Sequence, residues 1–469
     1  RQRQMCIRDR WVLYASMGVD AADFWAQYDH MYIPELGHNV SVTDYAHTLY
    51  IRASWTDFNP QEDVYGWKID SNLRAYIEGA YQRNMRLAFR VVVDSRDKRT
   101  EFTPQFVKDA GAKGFMNKGK WSPYSDDPVF QKYYTKFVKA LAKDFNDPSK
   151  VEFIDGFGLG KWGEYHTMIY STGDDTPKKA VFNWVTDIYS QAFDKVPVVI
   201  NYHRWIGAGK DWVDDEHFAA DSEEMLEEAI KKGYSLRHDA FGMTTYYGSW
   251  ERRFAKKYRN ICPIIMEGGW IVKSHNYWQD PRGYRKDSHE DVRRGEFDDS
   301  KEAHVNMMDF RFGDTKSWFK DAFDLVRRFL REGGYRLYPS EISLPLEVSK
   351  KTTPTIKHCW NNLGWGYCPT NIPQWNQKYK VAFALLDSET NEVRYTFVDT
   401  DTDLSKWIKG SPAEYVFEPD MSKVETGTYV WAVGLVDRSN KDLVGLDIAA
   451  KGDILDSGWL KLSKVSIKK

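Results

Sequence analysis

Two glutamates of this chain stand in settings where acid–base chemistry is possible. Glu164 lies in GFGLGKWGEYHTM (156–168), directly after an apolar run that predicts a buried strand. Glu267 lies in CPIIMEGGW (262–270), where a carboxylate is costly unless it has a function or a partner. Two carboxylates that face one site can divide the work, one protonated as general acid and one ionised. For Glu164 alone, a helix cap or a salt bridge is the alternative explanation.

Three basic residues could support such a site. Arg52 and Arg90 interrupt the apolar runs TLYIRASW and RLAFRVVV. A guanidinium beside a carboxylate makes charge-assisted hydrogen bonds and favours its ionised form. We therefore expect Arg52 and Arg90 to hold Glu267 ionised, or else to form ion pairs inside the fold. His203, in NYHRW, is a candidate for binding a hydroxyl, although a lone histidine is more often structural.

The elements that position these residues repeat eight times between residues 11 and 334. Short apolar runs alternate with longer amphipathic stretches, which predicts an α/β fold of the (β/α)8 TIM-barrel type. In that fold all strands deliver their C-terminal residues to one face. An open doubly wound sheet is the alternative, but no glycine-rich phosphate loop follows the first strand. The predicted strands are WVLYA, TLYIRASW, RLAFRVVV, VEFIDGFGL, VPVVINYH, DAFGMTTYY, CPIIMEGGW and AHVNMMDF.

The sequence changes character after residue 334. Short alternating segments such as KVAFALLD, EVRYTFVD and GTYVWAVGLVD, separated by polar turns, predict an antiparallel β-sandwich over 335–469. Its polar residues fall in turns, so we expect an accessory domain. Cys359 and Cys368 flank a predicted hairpin turn and could form a disulfide or stay reduced. No CxxC pair occurs, which argues against a zinc knuckle or a thioredoxin-type site.

Composition narrows the class of partner. Lys and Arg total 66 against 68 Asp and Glu, so no bulk charge favours nucleic acid or an anionic membrane, and no apolar stretch reaches membrane-span length. Aromatic residues make up 15% of the chain, with 19 Trp and 28 Tyr, an excess that suits stacking against sugar rings. The tryptophans that follow predicted strands are the candidate platforms: Trp162, Trp205, Trp250 and Trp270.

The chain resembles a known group of enzymes. The stretch 50–91 is similar to a pattern of the family 42 β-galactosidases, with Trp55, Pro60, Gly66, Trp67 and Asp70 in register. These belong to a clan of retaining glycoside hydrolases with (β/α)8 barrels. The segments WNNLGWGYCPTNIPQWNQKYKVAFALLD, LSKWIKG and GTYVWAVGLVD resemble a bacterial sandwich domain of unknown function that often follows such barrels.

The resemblance implies roles for individual residues. Clan members carry the acid/base after strand four and the nucleophile after strand seven, the predicted places of Glu164 and Glu267. Tyr246, at the end of predicted strand six, matches a tyrosine that hydrogen-bonds the nucleophile. Family members place Asn before the acid/base, where it binds the sugar 2-hydroxyl, but this chain has Gly163 there. We expect that contact to come from elsewhere, with His166 and Asn201 as candidates.

We therefore predict a retaining glycoside hydrolase that acts on an oligo- or polysaccharide, with a β-galactoside as the first substrate to test. The rival prediction is a carbohydrate-binding barrel without catalysis. We predict no cofactor and no metal site; the mixed-charge run RKDSHEDVRRGEF (285–297) is expected to be a solvated loop. Residues 1–10 resemble translated adapter sequence and are expected to be non-native. Location and oligomeric state stay open, with a periplasmic or extracellular site as one expectation.

Overall fold

The computed structural model describes residues 11–213, 215–243, 246–269 and 289–469. The chain divides into two compact units, the first ending at Leu330 and the second spanning Arg331–Lys469. Each unit has its own sheets and its own core, and each is described by itself.

A closed parallel sheet forms the first unit. Its strands are β1 (Trp11–Tyr14), β2 (Ala46–Ser54), β3 (Arg86–Val92), β4 (Val151–Asp155), β5 (Val198–Asn201), β6 (Tyr234–Phe241), β7 (Ile264–Gly268) and β8 (Met307–Met308). They neighbour one another in this order. A parallel bridge between Val12 of β1 and Asp309, directly after β8, closes the ring. The first unit is thus a (β/α)8 TIM barrel, as predicted.

Helices alternate with these strands. They are α1 (Ala21–Asp29), α2 (Trp55–Phe58), α3 (Gly66–Ile69), α4 (Ser71–Gln82), α5 (Gln105–Asp109), α6 (Pro128–Phe145), α7 (Lys178–Ala192), α8 (Glu216–Lys231), α9 (Ser249–Tyr258), α10 (His289–Glu302), α11 (Thr315–Asp321) and α12 (Phe323–Glu332). Side-chain caps set several starts, as where Asp127 accepts from the Phe130 N–H ahead of Pro128. Gly334, with φ of +52°, follows the last turn of α12.

Two layers of inward-facing side chains fill the barrel and form its floor. The lower layer is apolar and comprises Val12, Tyr50, Ala88, Phe153, Val199, Ile265 and Met307, and Tyr14 packs on it from two positions further along β1. Because side chains repeat their direction every second residue along a strand, the next layer lies two positions further on. On five strands that layer is polar or charged: Arg52, Arg90, Asp155, Asn201 and Glu267, with Asp309 in the same place after β8.

Three parts of the barrel differ from prediction. Strand six was predicted over 239–247, but β6 spans Tyr234–Phe241, because Arg237 and Asp239 break the apolar pattern inside a true strand. The run 285–297 was predicted as a solvated loop, but α10 begins at His289. The sequence also gave no sign of two small hairpins, Met31–Ile33 with His38–Val40 and Gly114–Asn117 with Lys120–Pro123.

Three charged residues of α10 are buried rather than solvated. Arg293, Glu296 and Asp299 are each less than 5% exposed. Arg293 donates to Glu296 at 2.6 Å, and Asp299 pairs with Arg252 of α9 at 2.8 Å. High charge density therefore marks an ion-paired face of this helix, since each charge has a partner of opposite sign.

The second unit is a β-sandwich built from two sheets. Its strands are β9 (Leu337–Ser343), β10 (Glu347–Ser349), β11 (Ile356–Asn362), β12 (Tyr379–Asp387), β13 (Val393–Asp399), β14 (Ala413–Phe417), β15 (Gly427–Asp437), β16 (Leu443–Leu446) and β17 (Leu460–Lys468). All pairs are antiparallel except β10 with β17. Trp360 and Trp407 stack at 5.0 Å in a common core.

Two further expectations concerned a disulfide and a membrane-spanning segment. Cys359 and Cys368 are both free thiols rather than a disulfide. Among the described residues, the structure has no helix with the length and apolar character needed to span a bilayer.

Candidate active site at the C-terminal mouth of the barrel

A cavity of about 480 Å³ opens at the C-terminal ends of the barrel strands. It brings together five of the predicted site residues: Arg52, Trp162, Glu164, Tyr246 and Glu267. The sequence analysis did not single out its other described lining residues, which are Asp97, Lys98, Lys161, Trp212, Asp239, Met243 and Arg311. The cavity size falls in the usual range for a small-molecule site.

A tight turn after β4 aims Glu164 into this cavity. Lys161 and His166 pair across the turn, and Gly163 N–H donates to Gly160 O at 3.0 Å. Gly163 has φ of +80°, and a Cβ there would meet the Val91 carbonyl oxygen at 3.3 Å. Glycine suits this backbone because it adopts positive φ without a steric cost. The turn geometry thus favours glycine at residue 163.

Two arginines contact the Glu164 carboxyl. Arg90 is buried, hydrogen-bonds Glu164 Oε1 and also donates to Asp155 Oδ2 at 2.6 Å. Arg52 lies 3.9 Å from Glu164 Oε1 and donates to the Trp162 carbonyl at 2.9 Å and the Tyr14 hydroxyl at 3.3 Å. The sequence analysis expected both arginines beside Glu267. Strand register places them beside Glu164 instead, since Arg52, Arg90 and Asp155 are aligned on neighbouring strands.

Glu164 also faces a carboxyl from β6. Its side chain is hydrogen-bonded to Asp239, whose Oδ1 accepts from Asn201 Nδ2 at 3.1 Å. Burial raises the pKa of Glu164 well above its ordinary value, and the charge of Asp239 raises it further against the opposing effect of Arg90. Burial opposes ionisation of Asp239, but its hydrogen bond with Glu164 and the nearby His238 lower its pKa. The opposite directions of these two pKa shifts favour a proton on Glu164 rather than on Asp239.

Glu267 has the opposite environment. It is 3% exposed, and its Oε2 accepts from Arg237 Nη2 of β6 at 2.5 Å. The same nitrogen donates to Asp309 Oδ2 at 3.0 Å. Burial raises the pKa of Asp309 to about 7, with Arg237 lowering it and Glu267 raising it. Arg237 therefore takes the role that the sequence analysis assigned to Arg52 and Arg90.

Two stacked histidines support the Glu164 turn from behind. The rings of His166 and His203 lie 3.8 Å apart at 13°. His203 Nδ1 accepts from the Trp205 N–H at 3.2 Å, so its Nε2 carries the proton and donates to the Glu164 carbonyl at 2.8 Å. Burial, then the proximity of His166, lowers the pKa of His203 well below its ordinary value. His203 thus holds the backbone of Glu164 as a neutral ring.

Tyr246 contacts His166 rather than Glu267. Its hydroxyl hydrogen-bonds His166 Nε2, while His166 Nδ1 lies 3.0 Å from Asp211 Oδ2. Burial opposes ionisation of Asp211, but the neighbouring His166 lowers its pKa to about 2. Tyr246 also lies beyond the end of β6, in the segment that follows it, and not at the predicted strand end. The predicted hydrogen bond between Tyr246 and Glu267 is therefore absent from the described contacts.

The remaining predicted binding residues lie behind the cavity wall. Arg90, His166, Asn201 and His203 are each buried, and none lines the described part of the cavity. Asn201 donates to Asp239 and is not among the described residues that line the cavity.

The predicted aromatic platforms separate into two groups. Trp162 is half-buried and lines the cavity, with Lys161 Nζ 4.3 Å from its ring. Trp205 and Trp250 are only 1% and 7% exposed and pack inside the fold. Trp270 lies outside the described residues. Trp212 is the exposed platform that the sequence analysis missed: it lines the cavity with half of its surface accessible.

Three side chains lie close enough together to be considered as ligands of one metal ion. They are Glu164, His166 and Asp239, and one potential ligand atom of each lies within 4.8 Å of the others. Arg90 and Arg52 bring two positive charges to Glu164, and Tyr246 hydrogen-bonds His166 Nε2. Two cations oppose a third at short range. The contacts therefore fit a shared proton better than a metal ion, and we assign no metal here.

Three charged residues that contact the site were also missed by sequence reasoning, two of them on β6 and one directly after β8. Arg237, Asp239 and Asp309 are embedded in SLRHDAF and NMMDF. The usable signal was the one applied to Glu267, a charge inside an apolar run. It was overlooked because strand six was placed five residues too far along the chain.

Among the comparisons with known proteins, only the search of solved structures found proteins similar to this chain. No protein-family model and no curated protein matches the chain. It is similar to exo-β-1,4-mannosidase Op5Man5 from Opitutaceae bacterium strain TAV5 at 12% identity and a TM-score of 0.38, over 65% of this chain and 52% of that one. The chain thus spans about half the mannosidase's length.

Two other solved structures cover more of the chain. Endo-glycoceramidase II from Rhodococcus sp., as its lactosyl-enzyme intermediate, is 13% identical with a TM-score of 0.39, over 87% of this chain and 96% of that one. A trimodular GH5_4 subfamily endoglucanase is 10% identical with a TM-score of 0.37, over 91% of this chain and 71% of that one.

Proposed function

We propose that the chain is a retaining glycoside hydrolase with Glu164 as general acid/base and Glu267 as nucleophile. The observation that carries this proposal is the presence of two buried glutamates in one cavity at the barrel mouth, in opposite electrostatic settings. Glu267 accepts a hydrogen bond from Arg237, which favours a carboxylate, whereas Glu164 faces the carboxyl of Asp239, which favours a neutral acid. Acid/base assignments follow from such divergent environments.

The first chemical step uses both glutamates. Glu164 gives its proton to the glycosidic oxygen as the bond from the anomeric carbon to that oxygen breaks. A Glu267 carboxylate oxygen forms a bond to the anomeric carbon, which gives a glycosyl ester and the free leaving-group alcohol. The guanidinium of Arg237 donates to Glu267 before this step and also donates to Asp309, which fixes the Glu267 side chain in place.

The second step returns the enzyme to its starting state. Glu164, now ionised, takes a proton from a water molecule whose oxygen attacks the anomeric carbon. The ester bond to Glu267 breaks, and the sugar leaves with the configuration it had in the substrate. This route places the two carboxyls about 5 to 5.5 Å apart, whereas roughly 6.5 to 9.5 Å suits inversion.

The cavity lining supports a carbohydrate as the substrate. Trp162 and Trp212 present ring faces, and Asp97, Lys98 and Lys161 supply hydroxyl-binding groups at the wall. With glycine at residue 163 and Asn201 occupied elsewhere, Lys98 and Asp97 are the candidates for the hydroxyl contact next to Glu164. The sequence resemblance makes a β-galactoside the first glycone to test.

The proposal is tested with aryl glycosides and three matched glutamate variants. We expect Glu267→Gln to lower kcat by about 10³-fold or more, since no ester can form. Glu164→Gln should slow substrates with poor leaving groups by about 10²- to 10⁴-fold and activated aryl substrates less, because only poor leaving groups need the proton. Glu152→Gln, in β4 and paired with Arg86 at 2.6 Å, is the control and should keep wild-type kcat.

Product stereochemistry separates the alternatives. Proton NMR of the first sugar released should show the anomer of the substrate. If the first sugar released had the opposite anomeric configuration, the enzyme would be inverting rather than retaining. Full activity in Glu164→Gln or Glu267→Gln would refute the assignment of these residues. Saturable sugar binding without turnover of any glycoside would support the rival function, a carbohydrate-binding barrel.

A further inference from the structure

Asp239 and Glu164 form a carboxyl pair that the two-glutamate mechanism does not explain. Asp239 projects from β6 into the cavity, and its side chain is 16% exposed against 1% for Glu164. The two side chains are hydrogen-bonded to each other. Ionised carboxylates accept hydrogen bonds but cannot donate them, so a hydrogen bond between two carboxyls requires a proton on one of them.

The contacts identify which oxygen carries that proton. Glu164 Oε1 accepts from Arg90, whereas Glu164 Oε2 is buried and receives no hydrogen bond from any described donor. Asp239 Oδ1 already accepts from Asn201 at 3.1 Å. A proton on Glu164 Oε2 therefore satisfies that oxygen as a donor and gives Asp239 a second hydrogen bond to accept.

Charged and titratable groups from every surrounding element bear on this pair. Arg90 of β3 and Arg52 of β2 favour an ionised Glu164, and Lys98 adds a weaker positive charge. His166 Nε2 lies 3.9 Å from Glu164 Oε2, and Tyr246 shares that nitrogen. On the Asp239 side, His238 Nδ1 lies 3.8 Å from Oδ1.

These neighbours leave Asp239 as the main opposing charge. Two arginines alone would ionise Glu164 and leave it unable to act as an acid. His203 and His238 are neutral rings in this setting, since each accepts a backbone N–H at Nδ1. Asp155 pairs with Arg90 and offsets part of its charge, and the Asp239 carboxylate is the described negative group that hydrogen-bonds Glu164 itself.

We propose that Asp239 is a positioning residue that shares a proton with Glu164 and keeps it on Glu164 Oε2 in the resting site. Its catalytic consequence rests on the proposed function. When Glu164 has given its proton to the leaving group, two carboxylates face each other in a buried site. Their repulsion makes Glu164 a stronger base for the water of the second step. Asp239 thus serves both steps without bonding to the sugar.

The pH dependence of kcat/KM tests the catalytic consequence. In the wild type, the basic limb reports loss of the Glu164 proton. Asp239→Asn keeps the size and a hydrogen-bonding side chain but removes the charge, so the basic limb should move down by one to two pH units. Activity should fall about 10- to 100-fold above the new limb and change much less below it. A uniform loss at every pH would indicate a structural role and overturn the proposal.

Asp97→Asn is the matched control for the position of the basic limb alone, since a change in KM is expected for a residue of the cavity wall. Asp97 lines the same cavity and loses the same charge, but it pairs with Lys161 at 2.7 Å rather than with Glu164. Its basic limb should lie within a few tenths of a pH unit of the wild type. An equal shift in both variants would attribute the effect to net cavity charge and would overturn the specific role of Asp239.

A measurement without substrate separates this proposal from the proposed function. The infrared carbonyl band of a protonated carboxylic acid, assigned by its loss in Glu164→Gln, should persist to a higher pH in the wild type than in Asp239→Asn. That result would support the shared proton even if no glycoside is hydrolysed. If the band disappeared at the same pH in both proteins, the proposal would be overturned. It would also be overturned if elemental analysis found one equivalent of tightly bound divalent metal in the wild type and none in Asp239→Asn.

Discussion

Two residues of one strand set the opposite characters of the two glutamates. Arg237 and Asp239 lie two positions apart on β6 and therefore face the same side of the sheet. Arg237 donates to Glu267, and Asp239 hydrogen-bonds Glu164. The strand between the two glutamates thus supplies a positive charge to one and a negative charge to the other. The different charge environments of the two glutamates therefore come from their neighbours on β6.

A tryptophan in a strained backbone marks the cavity rim. Trp212 has φ of +66°, which is unusual for a bulky side chain. Its ring contacts those of Trp205 and Tyr246, each at 4.9 Å. Strained positions that the surrounding structure maintains are often functional. The strain keeps an aromatic face beside the cavity, where it can stack on a substrate ring.

We expect Trp212→Ala to weaken substrate binding more than the chemical step. Loss of one stacking face, worth about 1 kcal/mol, should raise KM about five-fold and leave kcat within two-fold. Steady-state kinetics on an aryl glycoside and on a longer oligosaccharide measures this. Tyr32→Ala, which removes an equally exposed aromatic residue from a surface hairpin, should change neither constant. A fall in kcat with unchanged KM would assign Trp212 to the chemistry instead.

At the scale of elements, the strand ends carry two buried neutral histidines. His203 follows β5, and His238 lies in β6. Burial lowers the pKa of His238 to about 3 and lowers that of His203 well below its ordinary value. In the unfolded chain both rings take up a proton below pH 6.5. Between pH 6.5 and the folded pKa, the unfolded state binds more protons, so stability falls as the pH falls.

This linkage predicts an acid-sensitive barrel. The free energy of unfolding should decrease by up to about 1.4 kcal/mol per pH unit for each histidine as the pH falls below 6.5. Urea unfolding at pH 7.5, 6.5, 5.5 and 4.5 measures the slope. His238→Asn, whose side-chain oxygen can still accept the Ala240 N–H, should reduce it. The exposed His38, on a surface hairpin, provides the control, and His38→Asn should leave the slope unchanged. A slope that is the same in all three proteins would contradict the prediction.

The sequence predicted the helices and strands better than it predicted which side chains contact one another. Eight strands, the principal helices and the sandwich follow from periodicity, and Glu164 and Glu267 were found because a carboxylate in an apolar setting is conspicuous. Which arginine meets which glutamate depends on strand register, and register is a property of pairing between distant segments. Arg90 reaches Glu164 for that reason. The turn at Gly163 depends in the same way on a contact between distant segments, since residue 163 packs against the Val91 carbonyl.

At the scale of the whole molecule, the two units are predicted to have separate roles. The sandwich has its own core around Trp360 and Trp407, and its buried polar groups are paired with each other, as His358 is with Asp399 at 2.9 Å. None of the described cavity-lining residues belongs to it. We therefore predict an accessory unit without a catalytic group.

A chain that ends at Gly334 should retain turnover. We expect kcat on a small aryl glycoside to stay within a few-fold of the full chain, because all candidate catalytic residues precede that point. Circular dichroism and kinetics on the purified protein test this. A shortened chain that is folded and soluble but has lost all turnover would contradict the division of roles. Weaker action on a polymer with normal action on the small substrate would fit it.

The bridge that closes the barrel has a consequence for the order of synthesis. Asp309 joins β1 through its backbone, and its carboxylate accepts from Arg237, which also donates to Glu267. A ribosome releases the N-terminal strands first, so the nascent chain holds the Arg237 and Glu267 pair before its last partner exists. A protein cut short before residue 309 would lack both the closing contact and one anion of the site. We therefore expect a chain that ends before residue 309 to have lost both the closed barrel and the full set of contacts around Arg237.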